Sequence, residues 1–152
     1  MNTLNANAGH PDAKDAKVTR KTRNENPNFD EDFSHEIIGA AVEVQRVLGV
    51  GMLENAYASA MAVELKEREL FFEREVSISA SYKGYALGTA YRADLIVEDS
   101  VIVELKAVEV LTELHRAQLL SYLRLSGLKL GLLINFNSFP VVKSIQRLVN
   151  KL

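Results

Sequence analysis

Asp94, Glu104 and Lys106 are the residues of this chain whose types and spacing are best suited to chemistry. Two apolar runs, Leu95-Ile96-Val97 and Val101-Ile102-Val103, flank the polar segment Glu98-Asp99-Ser100. That pattern predicts a β-hairpin turning at the polar segment. Side chains alternate along a strand, so Glu104 and Lys106 should share one face while Val101, Val103 and Leu105 enter a core. The hairpin brings Asp94 opposite the segment holding Glu104 and Lys106. Two carboxylates and an ammonium then converge. Paired carboxylates suit Mg²⁺ or Mn²⁺, which prefer oxygen ligands. The lysine can orient a water or stabilise charge growing on a phosphate. Together these are the parts needed for metal-assisted phosphodiester hydrolysis. The plain alternative is a surface hairpin with an ordinary Glu–Lys pair, since E-x-K alone is a common pattern.

The elements that would position these residues can be read from the pattern on either side. Ile37, Ile38, Ala41, Val42, Val44, Gln45 and Leu48 recur at helical spacing, with Ser34 as the expected N-cap. After Gly49-Val50-Gly51 a second helix is expected from about Leu53 to Glu69, with Ala56, Tyr57, Ala60, Val63 and Leu65 on its apolar face. Phe71 to Tyr82, Tyr85 to Val97 and Val101 to Ala107 read as strands. Thr112 should cap a helix that reaches Ser126 and stops at Gly127. Leu130 to Phe136 is nearly all apolar, as in a strand buried on both faces. Pro140 to about Asn150 is expected to be a final helix. The order is helix, helix, three strands, helix, strand, helix. This is an α/β arrangement with a mixed central sheet flanked by helices.

A chain of 152 residues with 47% hydrophobic residues suits one folded domain. Residues 1–28 are polar, without sustained apolar periodicity, and read as a disordered tail; the domain is expected over 29–152. No apolar run approaches the roughly 18 residues of a membrane span, so no membrane partner is expected. The absence of cysteine excludes disulfides, thiolate catalysis and Cys-type zinc sites, and fits a reducing cytoplasm. The formal net charge is −2, from 18 basic and 20 acidic residues. Binding to nucleic acid through bulk charge is therefore disfavoured. A nuclease is not excluded, because bound cations neutralise a carboxylate site.

The order of elements and the hairpin residues together resemble the PD-(D/E)XK nuclease superfamily, whose core is α-β-β-β-α-β. The chain is more specifically similar to the GxxExxY family, a small bacterial group assigned to that superfamily. The signature is Gly51-Met52-Leu53-Glu54-Asn55-Ala56-Tyr57. The likeness continues through Tyr91-Arg92-Ala93-Asp94-Leu95, Val103-Glu104-Leu105-Lys106-Ala107, Ala117 to Leu123, and Leu132 to Phe136, and covers about Phe33 to Val149.

That resemblance implies an acidic metal-binding pair at Asp94 and Glu104, a catalytic lysine at Lys106, and a helix glutamate facing the metal at Glu54. Gln118 and Tyr122 resemble the Q-x-x-x-Y pattern of RecB-like nucleases, which contacts substrate or braces the site. It also implies Mg²⁺ or Mn²⁺ as cofactor and nucleic acid, DNA in the first instance, as substrate. Two departures stand out. Val44-Gln45 occupies the place of a Val-His pair found in many relatives, so a histidine there is not essential. Ala93 replaces the proline of the superfamily name.

Each of these residues also has a plainer reading. A carboxylate at Glu54, in the first helical turn, is favoured by the helix dipole by about 0.3–1 kcal/mol. Tyr57, expected to bind substrate or brace the site, equally suits a half-buried core position. Gln118 and Tyr122 share a helix face at i and i+4, joined by His115, and that face is equally readable as a solvated edge. Arg116 and Arg124 can grip phosphates or simply stay hydrated. His10, His35 and His115 form no cluster, so zinc is not expected. The rival function is an idle nucleic-acid-binding or protein-interaction module with the same fold. A third is a small regulatory subunit whose first helices form a dimer. A homodimer or a partner protein is expected as a possible assembly.

Overall fold

The computed structural model describes residues 32–151. The expected tail at 1–28 lies outside these residues. Helices α1 (Ser34–Leu48) and α2 (Glu54–Glu67) come first. Strands β1 (Phe72–Tyr82), β2 (Tyr85–Val97) and β3 (Val101–Lys106) follow, then α3 (Glu113–Ser126) and β4 (Leu130–Asn135). A 3₁₀ turn (Val141–Ser144) and β5 (Gln146–Val149) close the chain. The five strands form one sheet in the order β1-β2-β3-β4-β5. β3 and β4 run parallel and every other pairing is antiparallel. Among the described residues no helix is long and apolar enough to cross a membrane.

The sheet is covered on both sides. Val101, Val103 and Leu105 of β3 join Leu132 and Ile134 of β4 in a core shared with Ile37, Val44, Tyr57, Met61 and Leu65 of the first two helices. Ile102 and Leu133 point the other way, onto Leu119 and Leu123 of α3. Strand β3 is thus apolar on both faces from Val101 to Val103, and becomes polar only at Glu104 and Lys106. The approach of α3 to β4 favours a glycine: a Cβ on Gly131 would sit 3.0 Å from the Leu119 side chain, which would have to shift. Helix α3 begins as its sequence suggests. The Thr112 hydroxyl accepts the His115 N–H, and the His115 ring accepts the Thr112 N–H. It ends on Gly127 in the left-handed conformation (φ 73°).

Two sequence expectations give way. The final helix over Pro140–Asn150 is instead the 3₁₀ turn followed by β5. Gln146 to Val149 pair with Leu133 to Leu130. The spacing of Val141, Ile145 and Leu148 satisfies a helical period, but β4 would otherwise present unpaired N–H and C=O groups at the sheet edge. Covering that edge outweighs the local pattern. The expected cap, Ser34, is itself the first helical residue; the Asp32 carboxylate, two residues earlier, accepts its N–H at 2.9 Å.

Beyond the body of the sheet, β1 and β2 continue as a two-stranded arm. β2 pairs with β3 over only three residues, Leu95 to Val97. It pairs with β1 out to Tyr82↔Tyr85, with register shifts after Ile78 and Ala80.

Candidate functional site

The site forms where β2 and β3 part. Their ladder stops at Leu95↔Val103, and two side chains take over its role. The Asp94 N–H donates to Glu104 Oε1 at 3.0 Å, and the Leu105 N–H donates to Asp94 Oδ2 at 2.8 Å. Each carboxylate thus satisfies a backbone donor that the diverging strands would leave orphaned. On the other side of β2 the pairing with β1 is distorted at Glu75, a non-glycine residue with φ 50°.

The electrostatics follow from this placement. Glu104 is 5% exposed. Burial, then the neighbouring Asp94, push its carboxyl up to about 8. Burial also raises Asp94, against the Leu105 N–H and the Lys106 ammonium, which lower it. Glu54 is raised by burial and, less, by Asp94; Lys106 and a backbone hydrogen bond from Ala107 act against this. The lysine charge therefore acts on all three carboxylates. Tyr122 is pushed up to about 12 by burial and then by Glu104, Asp94 and Tyr91, which places its phenol beside the acidic pair. Its ring lies 4.5 Å from that of Tyr91, tilted by 49°.

A cavity of about 280 Å³ opens at Asp94, lined also by Glu54, Asn55, Ala58, Arg74 and Glu75. Asp94, Glu104, Lys106, Glu54 and Tyr122 are therefore brought together from β2, β3, α2 and α3. Gln118 is half-buried one turn before Tyr122. Arg116 is exposed, and its nearest charged partner is Glu113 at 3.7 Å on its own helix. Tyr57 is fully buried and braces the entry to α2. Its hydroxyl donates to the Gly49 carbonyl at 2.7 Å and accepts the Met52 N–H at 3.2 Å. Its ring stacks on Phe136 at 4.5 Å.

Sequence reasoning passed over Arg74, Glu75 and Asn135, and gave Gln45 no structural role. Arg74 and Glu75 enter the cavity because the strand is kinked at Glu75, which alternation does not foresee. Asn135, opposite Lys106 in the β3–β4 ladder, accepts the Val108 N–H and donates to the Val108 carbonyl, fixing the chain as it leaves the lysine. Gln45 donates to the carbonyls of Phe136 and Ser138 and accepts the Val141 N–H. A lone buried glutamine in an apolar helix stripe was the available signal.

Residues 31–148 match the family model of the PD-(D/E)XK nuclease superfamily. The chain belongs to that superfamily. No curated protein and no solved structure matches it. Membership in the PD-(D/E)XK superfamily implies nuclease-type chemistry on nucleic acid, and its nucleases generally use Mg²⁺ or Mn²⁺.

Among the described residues no three acidic or histidine side chains are gathered tightly enough to enclose an ion. The donor chemistry nevertheless suits a hard divalent cation of the kind PD-(D/E)XK nucleases use. Magnesium commonly keeps several waters and takes one or two protein carboxylates. Asp94 and Glu104 supply two, neither in a direct salt bridge among the described residues, and both are held at a raised pKa that a cation would relieve.

Proposed function

We propose that this chain is a Mg²⁺- or Mn²⁺-dependent nuclease that hydrolyses phosphodiester bonds, with DNA as the first substrate to test. The observation that carries the reading is the interlocked Asp94–Glu104 pair with Lys106 two residues further along β3. The narrower likeness to the GxxExxY family rests on Gly51, Glu54 and Tyr57 and on the blocks that follow them.

Asp94 and Glu104 hold the cation, with Glu54 approaching from the start of α2. A cation there would supply positive charge to the phosphoryl oxygens and ionise water near neutral pH. The chain's own groups do the rest. Lys106 stands beside the carboxylates, where its ammonium stabilises the negative charge that grows on the phosphoryl oxygens. Hydrolysis forms one bond from water oxygen to phosphorus and breaks one to the leaving sugar oxygen, which takes up a proton. Tyr122, kept protonated, offers an O–H donor next to the acidic pair. Gln118, on the same face of α3, offers an amide to the substrate. Tyr57 holds the Gly49–Met52 loop so that Glu54 starts its helix in place.

The test is incubation with plasmid and with single- and double-stranded DNA and RNA in Mg²⁺ and Mn²⁺, beside Asp94→Ala. Cation-dependent cleavage lost in Asp94→Ala supports the reading. Wild-type protein that binds the cation and cleaves none of these substrates overturns it in favour of an idle binding module.

A further inference from the structure

The β1–β2 arm has no role in the chemistry above, yet it leads directly into it: Arg92 is two residues from Asp94. Between Val76 and Ala93 there are two basic residues, Lys83 and Arg92, and no acidic one. The whole chain holds 18 basic and 20 acidic residues, so what lies outside the arm is more acidic still. The arm's two faces differ. Ile78 is buried against the α3 cluster, and Tyr91 packs on the same cluster. On the opposite face of β1, Ser77, Ser79 and Ser81 are all exposed. Their ladder partners are Arg92, Thr89 and Ala86, also exposed. One face therefore presents four hydroxyls and one guanidinium, with no carboxylate among them. The tip adds Tyr82 and Tyr85, 60% and 76% exposed, with the Lys83 ammonium 5.3 Å from the Tyr82 ring centre.

We propose that this arm is the element that grips the substrate, laying its hydroxyl face and Arg92 along the backbone of a nucleic-acid duplex. The inference rests on the nuclease reading for the identity of the partner. Phosphate backbones are held mainly by Arg, Lys, Ser, Thr and Tyr groups, which is the composition of this face and tip. A two-stranded ribbon is also one of the few elements that the major groove admits. Reach agrees: from Val76↔Ala93 to Tyr82↔Tyr85 the arm runs six residues along β1, about 20 Å at strand rise, enough to cross a major groove of about 12 Å. A second copy of the chain is a poorer occupant, because the exposed hydroxyl face offers little apolar area to bury.

The test uses full-length protein and a fluorescent 30-base-pair DNA duplex in EDTA, where binding is read without cleavage. Ser79→Glu should weaken duplex binding at least tenfold. Arg92→Ala should lower the slope of log affinity against log salt by about 0.9, the loss of one phosphate contact. Both variants should keep the wild-type melting temperature and its rise with Mn²⁺. Unchanged affinity and slope in variants of a wild type that cleaves DNA would overturn the arm and leave the nuclease reading intact. Arm-dependent binding by a wild type that never cleaves would uphold the arm and overturn the nuclease. No duplex binding by the wild type, or tighter binding to a single strand, would overturn the proposal. So would a dimer that Ser79→Glu splits without altering DNA affinity.

Discussion

Asp94 and Glu104 each cap the other's strand: Glu104 Oε1 takes the Asp94 N–H at 3.0 Å, and Asp94 Oδ2 takes the Leu105 N–H at 2.8 Å. The sheet is held together at this point by the same oxygens that the proposed reaction needs. Two buried carboxyls side by side are costly when both are ionised. On the proposed reading, their retention here trades stability for the capacity to bind a cation, as strained or repulsive groups at functional sites commonly do.

Glu104→Gln is the cleanest probe of that trade. The amide keeps an oxygen for the Asp94 N–H and removes the charge. Without cation at pH 8, the melting temperature of Glu104→Gln should exceed that of the wild type by several degrees. In millimolar Mn²⁺ the order should reverse, because a ligand that binds only the native state stabilises it by mass action. A Mn²⁺-induced shift of equal size in both proteins would remove Glu104 from the cation site.

The pH dependence has a definite sign. Glu104 is raised in the folded protein from 4.5 to about 8. Its stabilising contribution is complete below about 4.5 and is lost as pH rises through about 8. Cation-free wild type should therefore lose stability between pH 5 and 8, by up to about 1.4 kcal/mol per pH unit from this group. Denaturant titrations at several pH values check this. A profile just as steep in Glu104→Gln would assign the effect to another group.

Lys106 separates binding from turnover. Lys106→Ala should retain the Mn²⁺-induced thermal shift while plasmid nicking falls by at least a hundredfold. Lys106→Arg should recover only part of the activity, since guanidinium keeps the charge but spreads it over a planar fork. Full activity in Lys106→Ala, beside an inactive Asp94→Ala control, would exclude the lysine from the chemical step.

Gln45 tests the scaffold. Its side chain serves two carbonyls and one N–H of the segment after β4, all more than 90 residues away in sequence. Gln45→Ala should cost about 2–4 kcal/mol in urea unfolding, because buried backbone groups lose their partners. A loss below about 0.5 kcal/mol would show that water replaces the side chain.

The meeting of Asp94 with Glu104 was legible from a turn signal and strand alternation, which are local. The three strands, the capping of α3 by Thr112 and its stop at Gly127 were legible for the same reason. What escaped was set at a distance. Val141, Ile145 and Leu148 suggest a helix, and only the open edge of β4 makes the segment a strand. Arg74 and Glu75 face the cavity because of a kink at one residue with φ 50°. Gln45 looked like a gap in a family pattern, and its partners lie more than 90 residues away in sequence, in the segment after β4.

The short seam between β2 and β3 also divides the molecule by cooperativity. Beyond Ala93, toward the tip, the arm's ladder is self-contained, while β3 is paired along its whole length to β4. Among the described residues only Ile78 and Tyr91 tie the arm to the α3 cluster, so hydrogen exchange should find the arm's tip opening at a lower free energy than the amides of Val103 to Lys106. If the chain is the nuclease proposed, this division lets its arm move over a substrate while its carboxylates stay in register.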